Sequence, residues 1–204
     1  MTIEPLYHWR FVNFRRTGNQ IKDFRGRQAN LHKAGIHSHG QIDAAIRLND
    51  EHSHVDFGPA AGQFGTKNFT FAFGINIIKA DDKKRGTILG NLRTTFKKAK
   101  KFPRVVITTV HHSEGGFLTL RLHEEERLAF LVGESFDHPN RISAVTPKII
   151  KEGIWYHVAL VRAGAILRIY VDGELQAEAS SSLNRITSAL DDIDTGFFGR
   201  LASR

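Results

Sequence analysis

Trp155-Tyr156-His157-Val158-Ala159-Leu160-Val161-Arg162-Ala163-Gly164-Ala165-Ile166-Leu167-Arg168-Ile169-Tyr170-Val171-Asp172-Gly173-Glu174-Leu175 reads as two antiparallel strands and the tight turn that follows them. Both runs are rich in β-branched and aromatic residues, which suit a pleated, half-buried surface. Trp155–Arg162 and Ile166–Val171 are joined through Ala163-Gly164-Ala165. Asp172-Gly173 supplies two residues that tolerate positive φ, as a two-residue hairpin turn requires. Period two puts Leu167, Ile169 and Val171 on one face, with Ile166, Arg168 and Tyr170 on the other. Trp155, His157, Ala159 and Val161 also share a face. His157 has apolar neighbours there and reads as a core histidine, its ring satisfied by one or two hydrogen bonds.

The same rhythm extends outward from this hairpin. Short apolar runs separated by turn residues are the signature of a sandwich or barrel. Further strands are predicted at Leu6–Phe11, Ile42–Leu48, His52–Phe57, Arg104–Val110 and Gly196–Gly199. Phe69–Ile78 is Phe-rich and near-continuous, so it is expected to be buried on both faces. Phe117–Leu122 and Arg127–Val132 flank Glu124-Glu125-Glu126 and read as a hairpin with an acidic turn. Gly115-Gly116 offers another turn before Phe117. Leu183, Ile186 and Leu190, after the N-cap candidate Ser182, carry the one helical spacing. Neither a linker nor an internal repeat interrupts the pattern, so residues 1–204 read as a single domain.

Bulk composition excludes several classes. Apolar residues are 41% of the chain, with 15 Phe and one Met, which suits a sizeable core. There is no cysteine, so disulfides, thiolate metal sites and a Cys nucleophile are ruled out. The N-terminus Met1-Thr2-Ile3-Glu4-Pro5 lacks the basic and apolar regions of a signal peptide. No run reaches the ~18 apolar residues of a membrane span. A soluble protein is expected, cytoplasmic or exported by a non-classical route. Lys and Arg outnumber Asp and Glu 29 to 21, a net charge of +8 with 11 His in reserve. Such a field attracts polyanions: nucleic acid, acidic headgroups or sulfated glycans.

The Trp-x-His-Val-Ala strand, short turn and Leu-x-Ile-Tyr-Val-Asp-Gly strand of residues 155–173 closely resemble the late hairpin of the laminin-G-like branch of the concanavalin A-like lectin/glucanase superfamily. Tyr7-His8-Trp9-Arg10-Phe11 is similar to that family's opening strand. His54-Val55-Asp56-Phe57-Gly58, then Phe64-Gly65 and Phe69-Thr70-Phe71-Ala72-Phe73, resemble its early strand pair. Phe197-Phe198-Gly199-Arg200 resembles a strand near its end. The resemblance implies an all-β antiparallel jelly-roll sandwich of concanavalin A-like type with at most one short helix. In the family a final strand usually follows and pairs beside the first. It is not seen before Arg204, and an uncovered edge invites pairing, so a homo-oligomer or larger assembly is expected.

Several constellations bear on chemistry. Laminarinase-like relatives carry Glu-x-Asp-x-Glu on one strand, which sets two carboxylates about 5 Å apart for retaining hydrolysis. Glu-x-Asp does not occur here, and Glu124-Glu125-Glu126 sits in a turn, so no enzyme is expected. His32, His37, His39, His52 and His54 crowd together. His37-Ser38-His39 and His52-Ser53-His54 have i, i+2 spacing, which points imidazoles one way in an extended chain. Three converging imidazoles would suit zinc; otherwise they are histidines on a polar strand face. The neighbours His111-His112 diverge. The resemblance also implies calcium on rim loops, with Asn49-Asp50-Glu51, Asp137 with Asn140, and Asp191-Asp192 with Asp194 as candidates. Gly-x-Ser-x-Gly and Gly-rich phosphate loops are absent.

Phe96-Lys97-Lys98-Ala99-Lys100-Lys101-Phe102-Pro103-Arg104 is the strongest charge cluster, and Asp81-Asp82-Lys83-Lys84-Arg85 is mixed in sign. The lysines either clamp phosphate or sulfate as point charges or form a solvated loop. Laminin-G-like domains include binders of heparin and sulfated glycolipids, so resemblance and charge point the same way. Phe96 and Phe102 read as strand anchors rather than a base-stacking platform, and nucleic acid is not the expected partner. The reading is a non-catalytic carbohydrate-binding module for acidic or sulfated glycans. Lys97, Lys98, Lys100, Lys101 and Arg104 would be the charged contacts, with calcium as the cofactor the resemblance implies. The alternative is a protein–protein interaction subunit of a toxin, particle or surface assembly.

Overall fold

The computed structural model describes residues 19–23, 25–42, 44–48, 53–57, 67–78, 91–92, 105–110, 117–123, 127–133, 141–147, 149–180 and 197–198. Among these every regular element is a strand. The strands are β1 (Gln20–Lys22), β2 (Gln28–His32), β3 (Ala34–His37), β4 (Ala45–Leu48), β5 (His54–Asp56), β6 (Phe69–Asn76), β7 (Asn91–Leu92), β8 (Val105–Val110), β9 (Phe117–His123), β10 (Arg127–Gly133), β11 (Arg141–Val145), β12 (Trp155–Ala163), β13 (Ile166–Val171), β14 (Glu174–Ser180) and β15 (Phe197–Phe198). The expected strand Leu6–Phe11, the helical spacing around Leu183–Leu190 and the Gly115-Gly116 turn lie outside the described residues.

Two sheets face one another across the main core. One has the order β14-β13-β12-β6, the other β11-β10-β9-β8-β7. All their pairings are antiparallel except β7 with β8. Val158, Leu160, Leu167, Ile169 and Val171 from the first sheet pack with Leu128, Phe130, Val132, Ile142 and Ala144 from the second. Phe69 joins them: its ring meets Phe130 edge-on at 6.3 Å and Phe71 at 5.5 Å. A third sheet, β1-β2-β5-β15, gathers Ile21, Ala29, Leu31 and Val55 into a smaller core. The hairpin β3–β4 packs Ala34, Ile36 and Ile46 against it. Removing this much apolar surface from water is the dominant favourable term in folding.

The deciding hairpin forms as read. β12 pairs with β13 from Val158↔Val171 to Ala163↔Ile166, and Gly164 turns at φ 60°. Asp172 and Gly173 take φ 51° and 87° and connect β13 to β14 by the positive-φ turn. The Asp172 carboxylate Oδ1 also accepts the His157 N–H at 2.8 Å, while the Asp172 N–H donates to the His157 carbonyl at 2.8 Å. The side chain thus extends the β12–β13 ladder by one rung. A β-branched residue at Gly173 would be forced into the left-handed region. Gly173→Val is expected to cost about 1–2 kcal/mol, read as a lower urea midpoint with an unchanged m-value.

Three expectations are corrected. Phe69–Asn76 is buried on one face only. Phe69 and Ile75 are buried and Phe71 and Phe73 half-buried, while Thr70, Ala72 and Gly74 face solvent. The density of Phe masks a strict alternation, with small residues at every outward position. His157 is exposed, not a core histidine. Trp155, His157, Ala159 and Val161 do share a face, but it is the outward one; Val158, Leu160 and Arg162 point to the core. Period two separates faces without saying which is inside. Finally, β1, β2, β3, β7, β11 and β14 were not among the expected strands.

Two buried polar groups organise the ends of these sheets. Asp23 holds the β1–β2 turn: Oδ1 accepts the N–H groups of Arg25 at 2.9 Å and Arg27 at 2.7 Å, and Oδ2 accepts Arg27 Nε at 2.7 Å. Burial alone would raise its pKa. The Arg27 N–H and guanidinium, the Arg25 N–H and the Arg27 charge together outweigh that and hold it below the ordinary aspartate value. A depressed carboxylate contributes stability above its unfolded pKa and loses it as pH falls through the folded value. Asp23→Ala is therefore expected to lose about 2 kcal/mol at pH 7. That difference should shrink in unfolding titrations below about pH 4. At the other end, Arg162 is buried between its strand neighbours Phe69 and Leu167, and its Nε donates to the Gly164 carbonyl at 3.2 Å. Burial lowers its pKa, yet a guanidinium stays charged.

Candidate functional site

The outward face of β6-β12-β13-β14 is the best-defined candidate surface. The register lays it out in rows. Trp155 stands opposite Asn76, and His157 opposite Gly74. Ala159 lies between Ala72 and Tyr170, and Val161 between Thr70 and Arg168. Across the last pair, Tyr170 meets Leu175 and Arg168 meets Glu178. A bulge between Ile169 and Tyr170 leaves Gln176 as the extra residue on β14, which re-aims Leu175 towards Tyr170.

Gly74 sets the shape of this face. A side chain there would begin 3.8 Å from the Trp155 ring and 3.1 Å from Gln41 Oε1. The indole therefore leans diagonally over the missing side chain. The loop between β3 and β4 brings the Gln41 amide to the same spot. Beside them, Asn76 Nδ2 donates to the Gly153 carbonyl at 3.2 Å, and its Oδ1 is buried with no hydrogen-bond partner among the described residues. Further along, Arg168 Nε donates to Glu178 Oε2 at 2.6 Å. That bond is the main cause raising the Arg168 pKa, and the pair leaves little net charge on the face.

The structure places the other expected residues as follows. His37 and His39 come together with ring centroids 5.6 Å apart. The His39 N–H donates to His37 Nδ1 at 3.2 Å, and Ser38 Oγ lies 2.9 Å from His39 Nδ1. His32 pairs in register with His54 on the neighbouring strand. Ser53 is buried, its hydroxyl donating to the carbonyl of Lys33, a non-glycine residue at φ 47°. Among the described residues, no group of three or more His, Cys, Asp or Glu is arranged to hold a metal. His52, His111 and His112 lie outside the described residues. So do the calcium candidates Asn49, Asp50, Glu51, Asp137, Asn140, Asp191, Asp192 and Asp194, the turn Glu124-Glu125-Glu126, and the basic contacts Lys97, Lys98, Lys100, Lys101 and Arg104.

The Gly74–Trp155–Gln41 grouping was not visible in the sequence. Its one local signal is a glycine within a strand, which often marks a close approach by another group.

The antiparallel two-sheet core and the β12–β13 hairpin agree with the comparison to known families. The family model Laminin_G_3, described as concanavalin A-like lectin/glucanases superfamily, matches residues 49–196, and the chain belongs to this family. Among solved structures the chain is similar to an S-layer domain-containing protein (residues 221–444) from Clostridium thermocellum. The two are 18% identical with a TM-score of 0.36, over 90% of this chain and 73% of that one. No curated protein matches the chain. Among the described residues no helix is long and apolar enough to cross a membrane.

Proposed function

We propose that this protein is a non-catalytic glycan-binding module. One observation carries the reading: the outward sheet face presents Trp155 and Tyr170 among hydrogen-bonding side chains over a floor of Gly74, Ala72 and Ala159. Aromatic rings with a polar surround suit ligands that are apolar on one side and hydroxylated at the edge. The nearby carboxylates are engaged: Asp172 with the His157 N–H and Glu178 with Arg168. This supports binding rather than glycoside hydrolysis, which needs a free pair about 5–9 Å apart. The sharper version, for acidic or sulfated glycans, rests on the lysines. Lys97, Lys98, Lys100, Lys101 and Arg104 would act as point charges on sulfate, and calcium on the rim loops remains part of this proposal.

A glycan array run with calcium and with chelator, at physiological and high salt, tests it. A hit is expected in the first condition. Loss under chelator would place a metal in the site, and loss at high salt would point to the lysines. Charge reversal at Lys97, Lys98, Lys100 and Lys101 is then expected to abolish any salt-sensitive hit; unchanged binding would sink the anionic version.

A second reading, as an interaction subunit, is favoured by apolar exposure at one end of the same sheet. Ile78 after β6 is 55% exposed and Ile154 before β12 is 50% exposed. Their segments are tied by the Gly153 N–H bond to the Ile77 carbonyl at 2.8 Å. A concentration-dependent oligomer mass that Ile78→Ser with Ile154→Ser converts to monomer would support that reading. An empty array beside such an oligomer would replace the lectin reading with it.

A further inference from the structure

We propose that the loop between β3 and β4 is a strap that lies over Gly74 at neutral pH and is released by acid when His37 takes up a proton. It stands apart from the glycan reading and does not depend on it.

The strap leaves from the last rung of a hairpin. His37 pairs with Ala45 at that rung and is half-buried. Its Nδ1 accepts the His39 N–H at 3.2 Å, and Ser38 Oγ lies 2.9 Å from His39 Nδ1. The loop then closes on itself. A side chain at Gly40 would begin 2.6 Å from the Ala44 carbonyl oxygen, so only glycine fits there. Gln41 follows at once, and its Oε1 fills the space that Gly74 leaves beside the Trp155 ring. A glycine within a strand permits so close an approach. His37 and Gln41 are joined through Ser38, His39 and Gly40, so the bond to His37 helps to set where the amide lands.

Histidine is the side chain whose charge changes between about pH 5 and 8. While His37 Nδ1 accepts a bond it carries no proton. Protonation there makes it a donor facing the His39 N–H, and the bond is lost. A second proton, on His39, puts like charges on rings whose centroids are 5.6 Å apart, which favours their separation. Acid therefore loosens the stem of the strap, and neutral pH restores it. Arg47 shares the hairpin, opposite Gly35. On the sheet, His157 stands opposite Gly74, and Asp172 accepts the His157 N–H. Asp43, in the loop itself, lies outside the described residues. His157 is the other imidazole near Gly74 and so supplies the control.

The test follows quenching of Trp155 fluorescence by acrylamide from about pH 8 to about pH 5. It uses the full chain carrying Trp9→Phe, which leaves Trp155 as the sole tryptophan. The Gln41 side-chain amide is followed by NMR over the same range. Quenching is expected to rise as the pH falls, and the amide signal to move with the same midpoint. His37→Asn keeps an oxygen that can accept the bond but takes up no proton; it is expected to lose both changes and hold the neutral values. His37→Ala has no acceptor and is expected to show the acid values throughout. Gln41→Ala should raise quenching at neutral pH and flatten the curve. His157→Gln should leave the transition in place. If Trp9→Phe does not fold, the Trp155 indole N–H in the NMR spectrum of the unaltered chain replaces the fluorescence signal. A transition that survives in His37→Asn, or that vanishes in His157→Gln, overturns the proposal. So does the absence of any change across the range.

Discussion

Leu160→Asp is expected to yield no folded protein. Leu160 is fully buried at the middle of β12, in register with Phe71 on one side and Ile169 on the other. Arg162, two residues along on the same inward face, already donates to the Gly164 carbonyl, and the effective penalty for burying an ion is several kcal/mol. The lost apolar contacts add about 2–5 kcal/mol. Against a total stability of roughly 5–15 kcal/mol, the sum removes the native state. Far-UV circular dichroism should show loss of strand signal, and urea should produce no cooperative transition. The control is His157→Gln on the same strand, expected to change stability by less than about 0.5 kcal/mol because the side chain faces water. A folded Leu160→Asp, or a strongly destabilised His157→Gln, would mean that the two faces of β12 are reversed.

Phe130→Ala has the next largest expected effect. Phe130 is fully buried on β10 and its ring meets Phe69 across the two sheets. Truncation leaves a cavity between rigid layers and removes an aromatic pair, costing about 3–5 kcal/mol. For a chain of this size the melting temperature should fall by roughly 10 °C, with far-UV spectra retained below the transition. A shift under about 2 °C would show that the two sheets do not share this core.

Much of this architecture was legible from short-range patterns. Asp172-Gly173 could be read because its conformational demand is local, and the two residues do adopt positive φ. Val158, Leu160, Leu167 and Ile169 could be read because period two is local as well. What escaped is set by partners distant in sequence. β14 reads Glu-Leu-Gln-Ala-Glu-Ala-Ser, with no β-branched residue, and is a strand because it pairs with β13. β2, Gln-Ala-Asn-Leu-His, buries only Ala29 and Leu31 and takes its place between β1 and β5.

His157 shows the limit most plainly. Trp155, Ala159 and Val161 make its face as apolar as the one with Val158 and Leu160. Only the opposing sheet, with Phe130 and Val132, decides which turns inward. The candidate site is harder still, because Gln41, Gly74 and Trp155 meet through three separate elements. The lysine cluster, the most visible feature of the sequence, needed no fold to be noticed; the meeting of Gln41 and Trp155 over Gly74 could not be noticed without one.

The most direct measurement is an NMR titration of the labelled chain with the best array hit. Binding on the outward sheet face predicts that the largest shifts appear at the Trp155 indole N–H, the Gly74 amide and the Gln41 side-chain amide, saturating together with one affinity. Saturable shifts that leave these three signals in place would contradict it, and would put the ligand elsewhere on the molecule.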